Sequence, residues 1–327
     1  MKKYKNIVLL GHGYAVKVVI ETINLHFKNY KIPLIVTHPK RDHFHDQNLV
    51  KKRKAIYGKY SFNVFNAKKK YGIEVMECED VNIPECISKI SNYDPELIIS
   101  IGCRNIIKKN FLKKFKNSVI NIHTTPLPKY RGAASDSWMI LNNENDKKLF
   151  GCIHFIDIGI DTGDIIAKEA YSFPRFSYPI DVYKKRMDTV QKLLLKALPN
   201  LSNKSRKWEV QEVESATSFP RLSTPNDGKI DFIKFSGIEI ERFIYAFGYP
   251  FEGAHCFIDN KKINILDSEF FEDIEFHSFS HGLIFGKNGQ LQYKVSVRGG
   301  YLLIKKIEVN GVLVENNKVL RIGKFLK

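Results

Sequence analysis

Two short segments of the sequence carry the side chains that acyl transfer uses. Asn121 and His123 stand two residues apart in a segment that reads as a strand, so both side chains point to one face of it. Asp157 to Asp164 follows soon after and adds carboxylates. An amide can donate to an oxyanion, an imidazole can take up a proton, and a carboxylate can orient the imidazole. The two segments therefore predict acyl-transfer chemistry.

The elements around these segments read as strands that alternate with helices. Residues 97–101 form a continuous apolar run, which is typical of a strand buried on both faces, and residues 7–10 read as a first buried strand. Such an alternation predicts right-handed crossovers and a mostly parallel sheet, in which ligands bind beyond the carboxyl ends of the strands. Three predicted strand ends, at Gly11–Gly13, Gly102–Arg104 and His123, should therefore meet at one crevice.

The C-terminal part of the sequence has a different pattern of apolar and turn-forming residues. Short β-like runs are separated by turns that are rich in Gly and Asn, such as 287–289, and a polar linker precedes them near 202–206. The sequence thus predicts an α/β protein of two domains. The first, 1–203, is a Rossmann-like catalytic domain with a mostly parallel sheet, and the second, 204–327, is smaller and mainly β.

Three local predictions concern single elements. We expect one helix from Ser61 to Tyr71 and another from Asp181 to about Leu198, where apolar residues recur at helical spacing. Near the end of the chain, residues 318–322 read as a strand.

Composition limits the class of protein. The chain has 327 residues, of which 43% are hydrophobic and 27% charged, and this balance is typical of a soluble globular protein. No apolar run approaches the roughly 18 residues that a membrane span needs, so we expect a cytoplasmic protein that does not bind a membrane. The five cysteines form no C-x-x-C motif, which favours reduced thiols and predicts no metal site.

The net charge of +17 has two interpretations. A basic protein can bind anionic partners such as nucleic acid or nucleotide phosphates. A general bias towards Lys, Asn and Ile explains the charge equally well, because the basic runs, such as 51–54 and 68–70, form no single stripe. Charge alone therefore leaves the partner open.

The segment Gly11-His-Gly13 follows the first strand and opens a helix. It resembles part of a dinucleotide fingerprint but lacks the third glycine, and a tight turn needs the same small residues. The second strand ends at Thr37-His38-Pro39 without an acidic residue, which argues against a nicotinamide site.

Residues 121–134 resemble the signature of the folate-dependent formyltransferase family. The resemblance rests on Asn121-Ile-His123 followed by Leu127-Pro-Lys-Tyr-Arg-Gly132, and on Asp157-Ile-Gly-Ile-Asp161-Thr-Gly-Asp164 at the family's order and separation. It is strong over roughly residues 70 to 170. It implies a one-carbon transferase whose formyl donor is N10-formyltetrahydrofolate.

The resemblance also implies roles for single residues. The family's catalytic asparagine, histidine and aspartate fall on Asn121, His123 and Asp161, the last because it directly precedes Thr162-Gly163-Asp164. The residues expected to bind the folate cofactor are Ile101, Gly102, Cys103, Arg104, Ile156 and Asp157. Those expected to bind the substrate are Gly11, His12, Gly13, Lys129 and Arg131.

The expected acceptor is the amine of a nucleotide-linked amino-deoxy sugar. Parts of 56–82 and 138–144 are similar to the nucleotide-sugar N-formyltransferases, which implies a dTDP-, UDP- or GDP-linked substrate and a role in surface polysaccharide (lipopolysaccharide or O-antigen) synthesis. Under this interpretation nucleic acid is not a partner, and a homodimer is allowed. Methionyl-tRNA formyltransferase and a non-catalytic nucleotide-binding module remain as alternatives.

Overall fold

A computed structural model of the chain describes residues 5–43, 55–116, 118–132, 135–201, 207–222 and 226–327. It divides into two compact units, the first made of Met1–Ala133, Lys148–Ser172 and Lys184–Phe219, the second of Ala134–Lys147, Phe173–Tyr183 and Pro220–Lys327. The predicted domain boundary at 203/204 lies outside the described residues. Within the described ranges, no helix has the length and apolarity to cross a membrane.

A seven-stranded sheet forms the centre of the first unit. Its strands are β1 (Lys5–Gly11), β2 (Tyr30–Thr37), β3 (Glu74–Glu77), β4 (Pro95–Ile101), β5 (Val119–His123), β7 (Leu149–Phe155) and β8 (Ile165–Tyr171). The order across the sheet is β3-β2-β1-β4-β5-β7-β8, and the strands from β3 to β5 are parallel. β7 and β8 are antiparallel. The predicted mostly parallel, Rossmann-like α/β sheet is confirmed.

Eight α-helices have described bounds. They are α1 (Tyr14–His26), α2 (Ala67–Tyr71), α3 (Pro84–Ser91), α4 (Lys109–Lys114), α5 (Ser135–Leu141), α6 (Pro179–Met187), α7 (Val190–Leu201) and α8 (Gly237–Ala246). On one face of the sheet, side chains of β1, β2 and β4 form a core with α3 and α4. Residues 7–10 of β1 are wholly buried, as predicted for a strand covered on both faces.

The carboxyl ends of β1 and β4 approach closely at Gly11. A Cβ atom at this position would lie 1.8 Å from the Ile101 carbonyl oxygen, and the Gly11 φ angle is +145°. Only glycine avoids both the clash and the strain. The tight turn at Gly11 therefore lets two predicted strand ends meet where the order of the sheet reverses, which is where ligands bind in such sheets.

The predicted helix from Ser61 to Tyr71 is wrong in its first half. Only Ala67–Tyr71 is α-helical, and a 3-10 turn at Val64–Asn66 precedes it. The Asn63 side chain accepts a hydrogen bond from the Phe65 backbone N–H at 3.1 Å. Asn competes for backbone donors in this way, so it starts a turn where the apolar pattern continues a helix.

The predicted single helix from Asp181 to Leu198 is two helices, α6 and α7. The break falls at Asp188 and Thr189, where the Thr189 backbone N–H binds the Arg186 carbonyl at 3.1 Å. The Thr189 hydroxyl donates to the same carbonyl at 2.7 Å. This local bonding tightens the last turn of α6 and ends it. The apolar period continues across the break, which is why the sequence does not reveal it.

The second unit is built on a six-stranded antiparallel sheet. Its strands are β10 (Ala254–Ile258), β11 (Lys261–Glu272), β12 (Ile284–Asn288), β13 (Gln292–Val297), β14 (Gly300–Val309) and β15 (Val312–Val314), in the order β10-β11-β14-β13-β12 with β15 on β14. The predicted β-rich C-terminal part is confirmed. α8 packs on this sheet at Gly237, where a Cβ atom would lie 2.3 Å from the Phe270 ring.

The predicted strand at 318–322 is wrong. A 3-10 turn spans Asn316–Lys318 there. The Asn316 amide is buried and donates to the Leu291 carbonyl at 2.6 Å, so it anchors the chain as a turn rather than as a strand. An additional two-stranded pair, β6 (Arg131–Gly132) with β9 (Ser218–Phe219), lies in the first unit.

Candidate active site

The candidate site is built on the carboxyl end of β5. Along this strand Val119, Ile120 and Ile122 are buried, whereas Asn121 and His123 are only partly buried. The apolar residues fix the strand in the core, and the pleat turns the two polar side chains to one side.

Asp161 reaches both of these side chains from the β7–β8 connection. Its Oδ2 lies 3.6 Å from His123 Nδ1, and its Oδ1 lies 3.4 Å from Asn121 Nδ2. The backbone N–H of Gly132 donates to Oδ2 at 3.2 Å. The amide, imidazole and carboxylate that the sequence singles out therefore meet at one point.

The turn that presents Asp161 is fixed by its neighbours. Asp161 has φ +54°, in the left-handed region that an aspartate tolerates better than most residues. Asp157 accepts hydrogen bonds from the Gly159 backbone N–H at 3.1 Å and from the Thr162 hydroxyl. A Cβ atom at Gly163 would lie 2.0 Å from the Phe155 carbonyl oxygen, so the turn needs glycine there.

The imidazole of His123 has an acceptor at each nitrogen. Its Nε2 lies 3.0 Å from the Tyr130 carbonyl oxygen, with the Thr125 hydroxyl at 2.6 Å, and its Nδ1 faces Asp161. Both acceptors favour a hydrogen on the nitrogen they face, but the Tyr130 oxygen at 3.0 Å is within hydrogen-bond distance and Asp161 Oδ2 at 3.6 Å is not, so the hydrogen of the neutral ring is placed on Nε2. In the neutral ring Nδ1 then keeps its lone pair, which makes Nδ1 the atom that can take up a proton.

Burial lowers the pKa of His123 below its usual value, and the Asp161 carboxylate opposes this effect. His154 and Arg186 lower the pKa of His123 further, whereas its bond to Tyr130 raises it. At neutral pH His123 is therefore a neutral base.

Asp161 stays ionised next to it. Burial pushes the pKa of Asp161 upward, but the nearby imidazoles of His154 and His123 and the Gly132 N–H together hold that pKa well below its usual range. A negative carboxylate thus faces the nitrogen that receives a proton, where it can stabilise the imidazolium.

His154 belongs to the same cluster, and the sequence analysis missed it. It stands opposite Asn121 in the antiparallel pair β5–β7, and Asn121 Nδ2 lies 3.2 Å from His154 Nε2. His154 Nδ1 donates to the Phe155 carbonyl at 2.7 Å, so Nε2 is an acceptor in the neutral ring. The only sequence signal is a histidine in an apolar strand shortly before Asp157, and its partner depends on strand register.

The residues predicted to bind the cofactor lie on two loops, one after β4 and one after β7. Ile101 ends β4 and is buried, Gly102 and Arg104 are exposed, and Cys103 is half-buried. On the second loop, after β7, Ile156 is half-buried and Asp157 is exposed. Large apolar side chains are also exposed on these loops, at Ile106, Ile158 and Ile160.

The residues predicted to bind the substrate fall in two places. Gly11, His12 and Gly13 link β1 to α1, and the His12 ring lies 4.7 Å from the His38 ring, edge to face. Lys129 is exposed, whereas Arg131 is buried and its guanidinium donates to Gln211 Oε1 at 2.9 Å. Arg131 therefore points into the protein, and its predicted contact with substrate stays a prediction.

Comparison with known proteins identifies the family. Residues 5–198 match the formyl transferase domain, and residues 222–321 match the formyl transferase C-terminal domain. The chain belongs to the formyl transferase family. The predicted family and formyltransferase activity are thereby confirmed, and the family's formyl donor, N10-formyltetrahydrofolate, is the predicted one.

Two relatives that are similar in sequence are both methionyl-tRNA formyltransferases. The chain is 30% identical over 243 residues to the methionyl-tRNA formyltransferase of Rickettsia bellii (strain RML369-C), which covers 74% of each protein. It is 29% identical over 243 residues to the same enzyme of Rickettsia prowazekii (strain Madrid E), again with 74% of each covered.

The solved structures of similar fold include N-formyltransferases that were solved with dTDP or a dTDP-linked amino sugar. A sugar 3N-formyl transferase, solved with dTDP and 5-N-formyl-tetrahydrofolate, superposes with a TM-score of 0.64 at 21% identity and covers 92% of this chain and 97% of its own. An N-formyltransferase from Helicobacter canadensis, solved with folinic acid and dTDP-3-aminofucose, gives 0.63 at 20% identity, with 92% and 99% covered. At these identities the likeness shows a common fold.

Proposed function

We propose that this formyltransferase moves the formyl group of N10-formyltetrahydrofolate to the amine of a nucleotide-linked amino-deoxy sugar, for the synthesis of a surface polysaccharide. The observation that carries the chemistry is the meeting of Asn121, His123 and Asp161 at the end of β5. The sugar is linked to dTDP, UDP or GDP, and the panel of acceptors described below tests which of them.

Two observations support a sugar acceptor. The sugar 3N-formyl transferase, solved with dTDP, has the same fold over 92% of this chain and 97% of its own. The similarity of parts of 56–82 and 138–144 to the nucleotide-sugar enzymes supports the same acceptor.

The two loops after β4 and β7 fit a folate. Ile106, Ile158 and Ile160 are 60%, 69% and 52% exposed, and a flat pterin with its aromatic extension would cover such apolar side chains. In this proposal the backbone of Ile101–Arg104 and of Ile156–Asp157 holds the polar edge of the ring. The folate, when bound, supplies an activated formyl carbon.

His123 moves the proton in this proposal. The attacking amine must lose a proton, and the neutral His123 accepts it at Nδ1. The resulting imidazolium binds the Tyr130 carbonyl through Nε2 and faces the Asp161 carboxylate through Nδ1. It can then return the proton to the leaving nitrogen, because the Asp161 charge holds it in place.

Asn121 supplies a hydrogen-bond donor for the oxygen that gains negative charge during the transfer. Its Nδ2 already points towards the reacting side of β5, where it contacts Asp161 and His154. Loss of one such donor typically costs about a hundred- to a thousandfold in rate.

The acceptor would enter beside the end of β1. The turn Gly11-His12-Gly13 has two glycines with positive φ and opens α1, whose first N–H groups are unpaired within the helix and suit a phosphate. Lys129 is an exposed cation on the loop after β5 and could pair with the same phosphates. In this proposal Arg131 supports the loop through its hydrogen bond to Gln211 and does not contact the sugar.

Methionyl-tRNA is the second candidate acceptor. The 30% identity to the Rickettsia bellii enzyme favours it, and a net charge of +17 suits an RNA backbone. A nucleotide diphosphate needs far fewer cations, so the charge excess alone does not decide between the two.

A panel of acceptors tests the proposal. The protein is incubated with N10-formyltetrahydrofolate and, in parallel, with nucleotide-linked 3-amino sugars, 4-amino sugars and initiator methionyl-tRNA, and mass spectrometry follows the gain of a formyl group. We expect formylation of one of the sugars. Formylation of methionyl-tRNA with none of the sugars modified would overturn the sugar assignment.

A further inference from the structure

Residues 207–219 form a segment between the two family matches, which end at 198 and begin at 222. We call it the connecting segment. All of its residues are described, and only Gln211 is buried, at 6% exposure. Its neighbours Val210 and Val213 are 72% and 80% exposed. A buried polar residue between exposed apolar ones reverses the usual preference, so Gln211 must be held there by its polar contacts.

The Gln211 side chain makes three hydrogen bonds. Its Nε2 donates to the Asp161 carbonyl at 2.9 Å and to the Gly163 carbonyl at 2.7 Å. Its Oε1 accepts from Arg131 Nη2 at 2.9 Å. Because carbonyls only accept and a guanidinium only donates, the orientation of the amide is fixed.

These bonds join the two loops that hold the Asp161 carboxylate. One loop is the turn of Asp161 itself, which has a left-handed backbone. The other carries Arg131, and the next residue, Gly132, donates its N–H to Asp161 Oδ2. Gln211 thus ties the backbone that presents the carboxylate to the backbone that binds it.

The rest of the connecting segment is fastened on both sides of Gln211. Glu209 exchanges two backbone hydrogen bonds with Ile165, at 2.8 and 3.2 Å. Further along, the Thr217 carbonyl accepts from the Arg131 N–H at 3.0 Å, and the Phe219 ring stacks on Tyr130. The Gln211 amide therefore lies in a segment that is fixed on both sides, and the segment cannot shift without breaking these contacts.

We propose that Gln211 is a positioning residue for formyl transfer, which clamps the turn of Asp161 so that the carboxylate faces His123. The inference rests on the proposed role of Asp161. Gln211 acts through Asp161 and contacts neither substrate.

Two variants separate positioning from mere filling of space. Gln211→Met keeps the length of the side chain without its hydrogen bonds, and Gln211→Glu keeps the acceptor for Arg131 but loses both donors. We expect each to lower kcat by about tenfold to a hundredfold, because small misplacements of a catalytic group have such effects, while KM for both substrates changes little. Val213→Gln, an exposed change in the same segment, is the matched control and should match the wild type.

A second readout needs no substrate. NMR titration of the His123 imidazole in the ligand-free protein, assigned with His123→Gln, reports whether Asp161 still faces it. Without the clamp the carboxylate no longer supports the imidazolium, so the pKa of His123 should fall below its wild-type value in Gln211→Met, which adds no charge. Thermal unfolding checks that each variant is folded, and kcat of Gln211→Glu decides if Gln211→Met does not fold.

The two readouts distinguish the possible failures. An unchanged His123 titration together with wild-type kcat in a folded Gln211 variant would overturn the inference. A loss of kcat without any change in the titration would also overturn it, because Gln211 would then not act through Asp161. A shifted titration in a protein that formylates no sugar would support the clamp and refute the sugar assignment alone.

Discussion

Asn121 and His154 face each other across the β5–β7 pair, and the Asn121 amide nitrogen lies 3.2 Å from His154 Nε2. His154 is almost fully buried, and its other nitrogen is bound to the Phe155 carbonyl. The ring is therefore held at Nδ1 by the Phe155 carbonyl and contacts the Asn121 amide at Nε2. We expect His154 to orient this amide donor rather than to transfer a proton.

We expect His154→Ala to lower kcat by about tenfold or more, because a freely rotating Asn121 amide spends less time aimed at the reacting oxygen. Steady-state kinetics measures the change, with His26→Ala, an exposed residue at the end of α1, as control. Since His154 acts through Asn121, the double variant Asn121→Ala/His154→Ala should be no slower than Asn121→Ala. Additive losses in the double variant would rule out this coupling.

Asn121→Ala removes the donor itself. We predict a fall in kcat of about a hundred- to a thousandfold, with a folded protein, since the partly buried side chain contributes little to the core. Asn121→Asp is the sharper variant, because it keeps the shape but puts a negative charge beside Asp161. A kcat within a few-fold of wild type in either variant would refute the donor role.

The parallel strands could be predicted from the sequence because strands buried on both faces consist of consecutive apolar residues. Residues 97–101 and 119–123 were predicted as strands, and both lie within strands of the sheet. The residues Asn121 and His123 were found because their spacing and neighbours are local. Asp161 was chosen over Asp157 through family resemblance, and the structure brings Asp161 to His123.

What the sequence could not reveal depends on distant contacts. His154 meets Asn121 only through the antiparallel register of β7, and Gln211 meets Asp161 only through the path of the connecting segment. Neither register nor path follows from local pattern. Arg131 was expected to bind the substrate, yet its side chain is buried and donates to Gln211.

The pH dependence should report His123. Its neutral form is the active base, so kcat/KM should rise with pH through a limb below the usual histidine value of about 6.5, because burial lowers this pKa. Asp161→Asn removes the charge that raises the pKa, so the limb should move to lower pH. The substrate amine is the same for both proteins, and Glu212→Gln serves as an exposed control.

Two pH profiles would contradict this prediction. One is a wild-type limb that lies above the usual histidine value of about 6.5. The other is a limb that moves to higher pH in Asp161→Asn.

The second unit contains a buried glutamate that pairs with an exposed arginine, and this contact has a measurable effect on stability. Glu241 is 2% exposed, accepts from the Phe270 N–H at 2.6 Å, and binds the Arg175 guanidinium through both oxygens. Glu241→Ala should lower the free energy of unfolding by about 2 kcal/mol, because it leaves the Phe270 N–H without its acceptor, whereas water can solvate the exposed Arg175. Urea denaturation measures the change. Glu315→Ala breaks an exposed pair with Lys318 and should cost about 1 kcal/mol or less; equal effects would refute the argument.

Salt dependence separates the two acceptors independently of catalysis. A nucleotide diphosphate presents few charges, so its affinity should fall only slightly with salt, whereas RNA binding loses affinity steeply because each neutralised phosphate releases counterions. We predict saturable binding of dTDP, UDP or GDP with a shallow slope in titration calorimetry. Tight, steeply salt-dependent binding of initiator methionyl-tRNA in a gel shift would instead support the second candidate.

The most direct test of the account is the single-turnover rate of formyl transfer in His123→Ala, measured with the acceptor that the panel identifies. Circular dichroism establishes that the variant is folded, and wild-type protein is measured in parallel. The account predicts a rate about two to four orders of magnitude below wild type, because the amine then lacks its base and the Asp161 carboxylate its partner. A rate close to that of the wild type would contradict it.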